Sequence, residues 1–443
     1  MSNDLLTKTA SDLGRMIDSK EVSPSEVTES FLTEINSNPL SERIYTCTTP
    51  DRARSEAQAA TERAQNGTRI GPLDGVPISW KDLFDTADTP TEAGSNLLKG
   101  RTPDTDATVL RNATLGGLVC LGKTHMSELA FSGLGVNPIA HTPPCINDLD
   151  AAPGGSSSGS AASVAFNLAP ASIGSDTGGS VRIPSAWNDM VGLKTTHGLL
   201  PVTGSVPLCE KFDTVGPMCR SVEDTANLLT ALAGEQPMKL IQSSIKGKRF
   251  AICTTAALDD MDPEPKKAFE QNIEALTAAG ALIEELEIPE IQEALPLSSC
   301  LFNTEAYAQW GEMIAENPNV MFSEIESRFL IGKDFSGADY IRAWHKLDEL
   351  RASYANRVTG YDAVLMPTAC VMPPNAARLS TDSDYYIRIN LLALRNTRIS
   401  NLLGLCAITL PSGTPSCGLM ICGKPFEERK ILSIAAQIEP ILG

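Results

Sequence analysis

Residues Pro153–Ser160 read PGGSSSGS, and Gly174–Ser185 read GSDTGGSVRIPS. Three explanations compete for so much glycine and serine. A flexible linker is the first. It fails because the chain runs straight into AASVAFNLAPASIG, which is apolar enough to be buried. A phosphate-binding loop is the second. GGSSSGS lacks the lysine of GxxxxGK[ST], and GSDTGGS lacks the spacing of GxGxxG. The third is a catalytic loop that sets serines against backbone N–H groups. Glycine allows backbone conformations closed to other residues and a close approach of amides to a ligand. Two glycines before a serine suit an oxyanion hole, whose donors must converge about 3 Å from the developing charge.

Around this core the texture is that of an α/β protein. From about Gly71, short apolar runs alternate with Gly/Pro turns and with helical stretches such as Thr105–Leu115 and Ser160–Asn167. Arg249–Thr254, Ala281–Ile288, Tyr361–Pro367 and Ala407–Pro411 read as strands. Pro265–Ala279 reads as a helix ended by Gly280, and Lys430–Glu439 as a final helix. The first 68 residues or so are helical. Ser23-Pro24-Ser25-Glu26 is a capping box with proline in the first turn. Val27, Phe31 and Ile35 then recur every four residues, and Asp51–Gln65 is a second helical pattern. Residues 290–350 read as a helical insert. Residues 232–248 come nearest to a linker but are short, so one continuous domain over 1–443 is expected.

Of 443 residues, 42% are hydrophobic, so a sizeable core can form. The formal charge of −18 repels phosphate backbones and anionic headgroups, so nucleic acid and membrane are not expected partners. No apolar run reaches the ~18–20 residues of a membrane span, and the N-terminus has no signal-peptide core. A cytoplasmic protein is expected. Eleven cysteines, an odd number with no CxxC pair, read as reduced and mostly buried thiols. No metal and no cofactor is expected.

A serine hydroxyl is a weak nucleophile until something removes its proton. Only four histidines are present, and none stands in a GxSxG context. Lysine is the natural candidate. Lys81 ends the apolar run Val76, Pro77, Ile78 and Trp80, and burial lowers a lysine pKa toward a usable base. Taken alone, a lysine in that place reads better as a solvated strand end.

Together, Lys81, PGGSSSGSA and GSDTGGSVRIPSA resemble the amidase signature family of serine amidohydrolases. Lys81 to Ser156 is 75 residues and Ser156 to Ser180 is 24, as the family's Ser-Ser-Lys triad requires. DGVPISWKDLFDTAD, LGKTHMSELAFSGLGVNP, VGLKTTHGLLP, YDAVLMPTA and NLLGLCAITLPSG are similar too. The resemblance covers residues 5 to 440 or so. It implies one α/β domain with a twisted mixed sheet of about eleven strands between helices. It implies Ser180 as nucleophile, Ser156 as proton relay after a cis bond from Gly155, and neutral Lys81 as general base and acid. The N–H groups of Thr177, Gly178, Gly179 and Ser180 would form the oxyanion hole.

The implied activity is hydrolysis of a small amide through an acyl-enzyme. Carbamate or urea-derivative hydrolysis is one alternative. The glutamine-hydrolysing component of a tRNA-dependent amidotransferase is another. The VRIPS sequence after the nucleophile departs from the amidotransferase pattern, which has glutamine before the proline. A homodimer is left open. Met126, Phe131 and Gly133 are candidate substrate contacts, and Leu134, Phe302, Tyr307 and Trp310 candidate lining, although apolar side chains fit a core as well. Asp176 is expected to orient the loop. Arg182 either braces Asp213 or faces the substrate entrance. Three stretches depart from the family pattern: Ser158 stands where glycine is usual, Trp187-Asn188-Asp189-Met190 precede VGLK, and residues 136–150 differ.

Overall fold

The computed structural model describes residues 2–240 and 244–442. Residues 241–243, within the expected linker, lie outside the described residues. Eleven strands form one sheet. They are β1 (Tyr45–Thr48), β2 (Pro77–Lys81), β3 (Val119–Thr124), β4 (Ala171–Asp176), β5 (Val191–Lys194), β6 (Thr214–Cys219), β7 (Arg249–Cys253), β8 (Leu282–Leu286), β9 (Ala363–Pro367), β10 (Cys406–Pro411) and β11 (Gly418–Gly423). Their spatial order is β1-β3-β2-β4-β6-β5-β10-β11-β9-β7-β8. The sheet is mixed: β3, β2 and β4 run parallel, as do β9, β7 and β8, while the centre from β4 to β9 is antiparallel. This is the expected α/β architecture.

Most central strands are buried throughout their length. That explains their continuous apolar runs, since a strand covered on both faces shows no alternation. The edge strand β8 is largely exposed instead.

The local signals act as expected. Ser23 and Glu26 form the capping box of helix Pro24–Ser37, which buries Val27, Phe31 and Ile35. Helix Pro50–Asn66 ends at Gly67 in the left-handed region. The 290–350 segment is four helices (Pro289–Ala294, Leu297–Glu316, Ser323–Leu330 and Gly337–Arg357) with a short 3-10 turn between the last two. All eleven cysteines are free, and ten are buried.

One piece of register places the site. β2 and β4 pair in parallel, with Ser79 opposite Ser172 and Trp80 opposite Ile173. Their carboxyl ends therefore lie on one side of the sheet, where ligands gather in parallel sheets, with Lys81 Nζ 2.8 Å from Ser175 Oγ near the end of β4.

Candidate active site

Lys81 is wholly buried. Its Nζ reaches Ser156 Oγ at 2.7 Å and Ser175 Oγ at 2.8 Å. Burial pushes its pKa down, against the pull of the Asp176 and Asp213 carboxylates, to about 7. A lysine so placed is substantially neutral near pH 7 and can accept a proton. Nothing in the sequence singles out Ser175. It lies near the end of β4 beside Lys81, so strand pairing supplies it.

Ser156 follows a cis bond from Gly155. Gly154 and Gly155 donate N–H groups to the Leu134 and Gly133 carbonyls at 3.1 and 2.8 Å, and Ser127 N–H donates to the Ser156 carbonyl at 3.1 Å. Ser157 hydrogen-bonds the Ser175 carbonyl through its hydroxyl. Its N–H meets the Ser180 carbonyl at 3.2 Å, so backbone joins the two serine loops. The Ser156 and Ser180 hydroxyls form no hydrogen bond to each other. The first half of the expected relay is thus closed and the second is open, a gap that such sites commonly close on binding substrate.

Asp176 organises the second loop. It accepts the Gly179 N–H at 2.8 Å and the Val181 N–H at 3.1 Å. Asn401 Nδ2 donates to it at 2.9 Å. Arg182 meets it through Nε and Nη2, at 3.0 and 2.9 Å. Burial would raise its pKa, but the Arg182 guanidinium outweighs that and holds it at about 2. The Gly179 amide is therefore already committed, a correction to the expected set of four oxyanion donors. Among the described residues, the Thr177, Gly178 and Ser180 amides have no partner. Gly179 has φ +142°, and a Cβ there would lie 2.1 Å from Thr397 Oγ1, so only glycine fits.

The expected brace from Arg182 to Asp213 is corrected. Arg182 is wholly buried and pairs with Asp176, six residues before it. It also contacts Asn401, the Thr397 carbonyl, Ser400 and Met420. Asp213 instead accepts from the Thr177 hydroxyl at 2.5 Å and from the Leu208 and Cys209 amides. Burial pushes its pKa up to about 6. Asp213 lines a cavity of about 430 Å³ with Leu83, Ala130, Ser175, Thr177 and Val206.

Met126 and Phe131 are buried core residues. Phe131 packs edge-on against Phe329, with the Arg328 guanidinium 4.3 Å from its ring centroid. Gly133 supports Gly155, and a Cβ on it would strike Leu394. Phe302 lies beside the 177–180 loop, with Cε2 3.7 Å from where a Cβ of Gly178 would stand. His197 is exposed and meets the Glu210 carbonyl.

The departures from pattern interlock. Ser158 donates to the His125 carbonyl at 3.4 Å. Asn188 ties the Pro153 carbonyl at 2.8 Å and accepts the Ile146 amide at 3.0 Å, while Asn147 donates to Asp189. The altered 136–150 stretch and the altered 187–190 stretch thus compensate each other. Among the described residues, no group of three His, Cys, Asp or Glu side chains could hold a metal ion, and no helix is long and apolar enough to cross a membrane.

The family model described as Amidase matches residues 26–432. The chain belongs to the amidase signature family. This amidase is 35% identical over 403 residues to the 2-amino-5-chloromuconic acid deaminase of Comamonas testosteroni, covering 88% of this chain and 87% of that one. It is 30% identical to the A-type component of the glutamyl-tRNA(Gln) amidotransferase of Alkalilimnicola ehrlichii, covering 98% and 97%. A crystal structure of an amidase superposes with TM-score 0.88 at 28% identity, covering 98% of this chain and all of that one. Peptide amidase from Stenotrophomonas maltophilia superposes with TM-score 0.82 at 26% identity, covering 98% and 97%. The protein is a family hydrolase acting on amides.

Proposed function

We propose that this amidase cleaves a small amide through an acyl-enzyme on Ser180, with Ser156 and neutral Lys81 moving the proton. The observation that carries this reading is the 2.7 Å contact between a fully buried Lys81 Nζ and Ser156 Oγ. Ser180 Oγ attacks the carbonyl carbon and releases its proton to Ser156 Oγ, which passes its own to Lys81. A hydroxyl can donate and accept at once, so it suits the middle place. The oxyanion meets the uncommitted amides of Thr177, Gly178 and Ser180, each donor of this kind being worth about 3 kcal/mol. The proton returns along the same path to the leaving nitrogen as the C–N bond breaks. Water then attacks the Ser180 ester, and the acid leaves.

The substrate is read as carrying a carboxylate. Arg328 and Arg398 have no carboxylate partner among the described residues. Burial lowers the pKa of both, and Arg328 also pushes that of Arg398, which falls to about 10. Arg398 follows Thr397, whose hydroxyl donates to the Gly178 carbonyl. Two buried guanidiniums without a carboxylate partner favour an anionic substrate group. The Comamonas relative is named for such an acid. A glutamine-hydrolysing component of an amidotransferase is the second reading, favoured by the match along nearly the whole chain to such proteins.

The test follows ammonia and amine release from simple amides, aryl amides, carbamates, glutamine and an aminomuconate. Turnover confined to carboxylate-bearing compounds is expected. Indifference to the carboxylate would overturn the substrate reading, and activity retained in Ser180→Ala would overturn the mechanism. Glutamine as sole substrate, with a co-purifying partner, would select the second reading.

A further inference from the structure

A second cavity, of about 460 Å³, has Asn401 in its wall. Four basic side chains line it: Lys194, Lys211, Arg351 and Lys424. Among the described residues, no carboxylate lines it. In a chain with 54 acidic and 36 basic residues, this lining runs against the overall charge. Asp348 pairs with Arg351 at 3.4 Å and Glu428 accepts the Thr196 amide, while Lys194, Lys211 and Lys424 have no carboxylate partner among the described residues. Lys194 is buried, with Nζ on the carbonyls of Thr195 and Leu405 at 2.8 and 2.7 Å. The walls are aromatic. Lys211 Nζ lies 5.0 Å and Arg351 Cζ 5.3 Å from the Trp344 ring centroid.

Phe426 lines the same cavity with its side chain exposed, at 65%. Its φ is +63°, a conformation that disfavours a side chain, and its amide is fixed to Thr196 Oγ1 at 2.8 Å. A non-glycine residue persists in such a conformation only where its surroundings hold it there.

We propose that this cavity binds a small organic carboxylate, with its anionic end among the four cations and a ring-sized apolar body against Phe426. The volume suits a ligand of that size. The site is separate from the reacting atoms but joined to the nucleophile loop, because Asn401 donates to Asp176, which holds the amides of Gly179 and Val181. The proposal goes beyond amide hydrolysis and does not depend on it.

Calorimetric titration of the full chain with benzoate, benzyl alcohol and inorganic phosphate tests it. Benzoate is expected to bind, weaken with added salt, and lose about tenfold or more in affinity in Lys211→Gln/Lys424→Gln, as loss of a charge-assisted contact predicts. Phe426→Ser should weaken benzoate and leave phosphate unaffected. No benzoate binding, equal binding by the double variant, or equal binding of benzyl alcohol each overturns the proposal. Phosphate binding as tightly as benzoate overturns the organic part of it. Phe426 is exposed, so Phe426→Ser decides even if the double variant unfolds: benzoate binding unchanged in it overturns the proposal.

Discussion

From Pro153 to Ser160 the chain is held by neutral contacts. The carbonyls of Leu134, Gly133 and His125 take its amides, and Asn188 takes the Pro153 carbonyl. From Asp176 to Arg182 it is held by buried charge, one carboxylate gripping a guanidinium and two amides. The neutral lacing engages most amides of the first loop and leaves a positioned hydroxyl. The carboxylate engages the amides of Gly179 and Val181 only and leaves those of Thr177, Gly178 and Ser180 open. One loop thus holds a hydroxyl against Lys81, and the other leaves backbone N–H groups open.

Breaking the second loop's product is the largest expected effect. Ser180→Ala should lower kcat/KM by about 10⁴-fold or more with circular dichroism and Tm unchanged. More than a few per cent residual turnover would reassign the nucleophile. Lys81→Met comes next, at about 10³-fold on amides and less on activated esters, because a poor amine leaving group needs its proton returned. Equal losses on both substrate types would remove Lys81 from proton transfer.

The wild-type pH profile sharpens this prediction. The active amine is neutral, so kcat/KM should rise with pH through about 7 and fall below it. Stability should follow the same sign. Between about 7 and the ordinary lysine value of 10.5, the unfolded chain binds more protons than the folded one, so stability rises with pH across that window. Melting curves of Lys81→Met should lack that part of the slope.

Asp176→Asn strikes the charged grip. It strands the Arg182 guanidinium, fully buried, and should cost about 3–5 kcal/mol by denaturant titration. A loss under about 1 kcal/mol would mean that the second loop is not held by charge. Gly159→Ala strikes the neutral lacing. Its Cβ would stand 2.5 Å from the Ile44 carbonyl oxygen and 2.7 Å from His125 backbone, and about 1–3 kcal/mol is expected from such overpacking. Ser158→Ala should cost least, under about 1 kcal/mol, since it gives up a single long hydrogen bond. The reverse ranking of Gly159 and Ser158 would show that hydroxyls, not close packing, hold the first loop.

Much of the site was legible because its parts are local. TGGS, SSS and a lysine after an apolar run can be seen along the chain, and their spacing fits the amidase signature pattern. Arg182 could not be assigned from sequence. Asp213 or the substrate entrance were the places it offered, and the pairing with Asp176 appears only where β4 and β6 run antiparallel, with Asp176 opposite Thr214. Asp213 is thereby left to the Thr177 hydroxyl. Thr397 and Asn401 lie more than 200 residues from the loop they support, beyond the reach of periodicity or spacing. Phe131 read equally well as pocket or core, since an apolar side chain carries no mark of which side it faces.

By itself the sequence determined the α/β class, the helix caps, the buried strands and the kinds of side chain available for chemistry, because these depend on local conformation and on apolar pattern. Only the tertiary structure decided that Lys81 is dry enough to be neutral, which amides remain free and which carboxylate meets Arg182. Those properties arise from desolvation and from contacts between distant strands, and neither exists until the sheet closes.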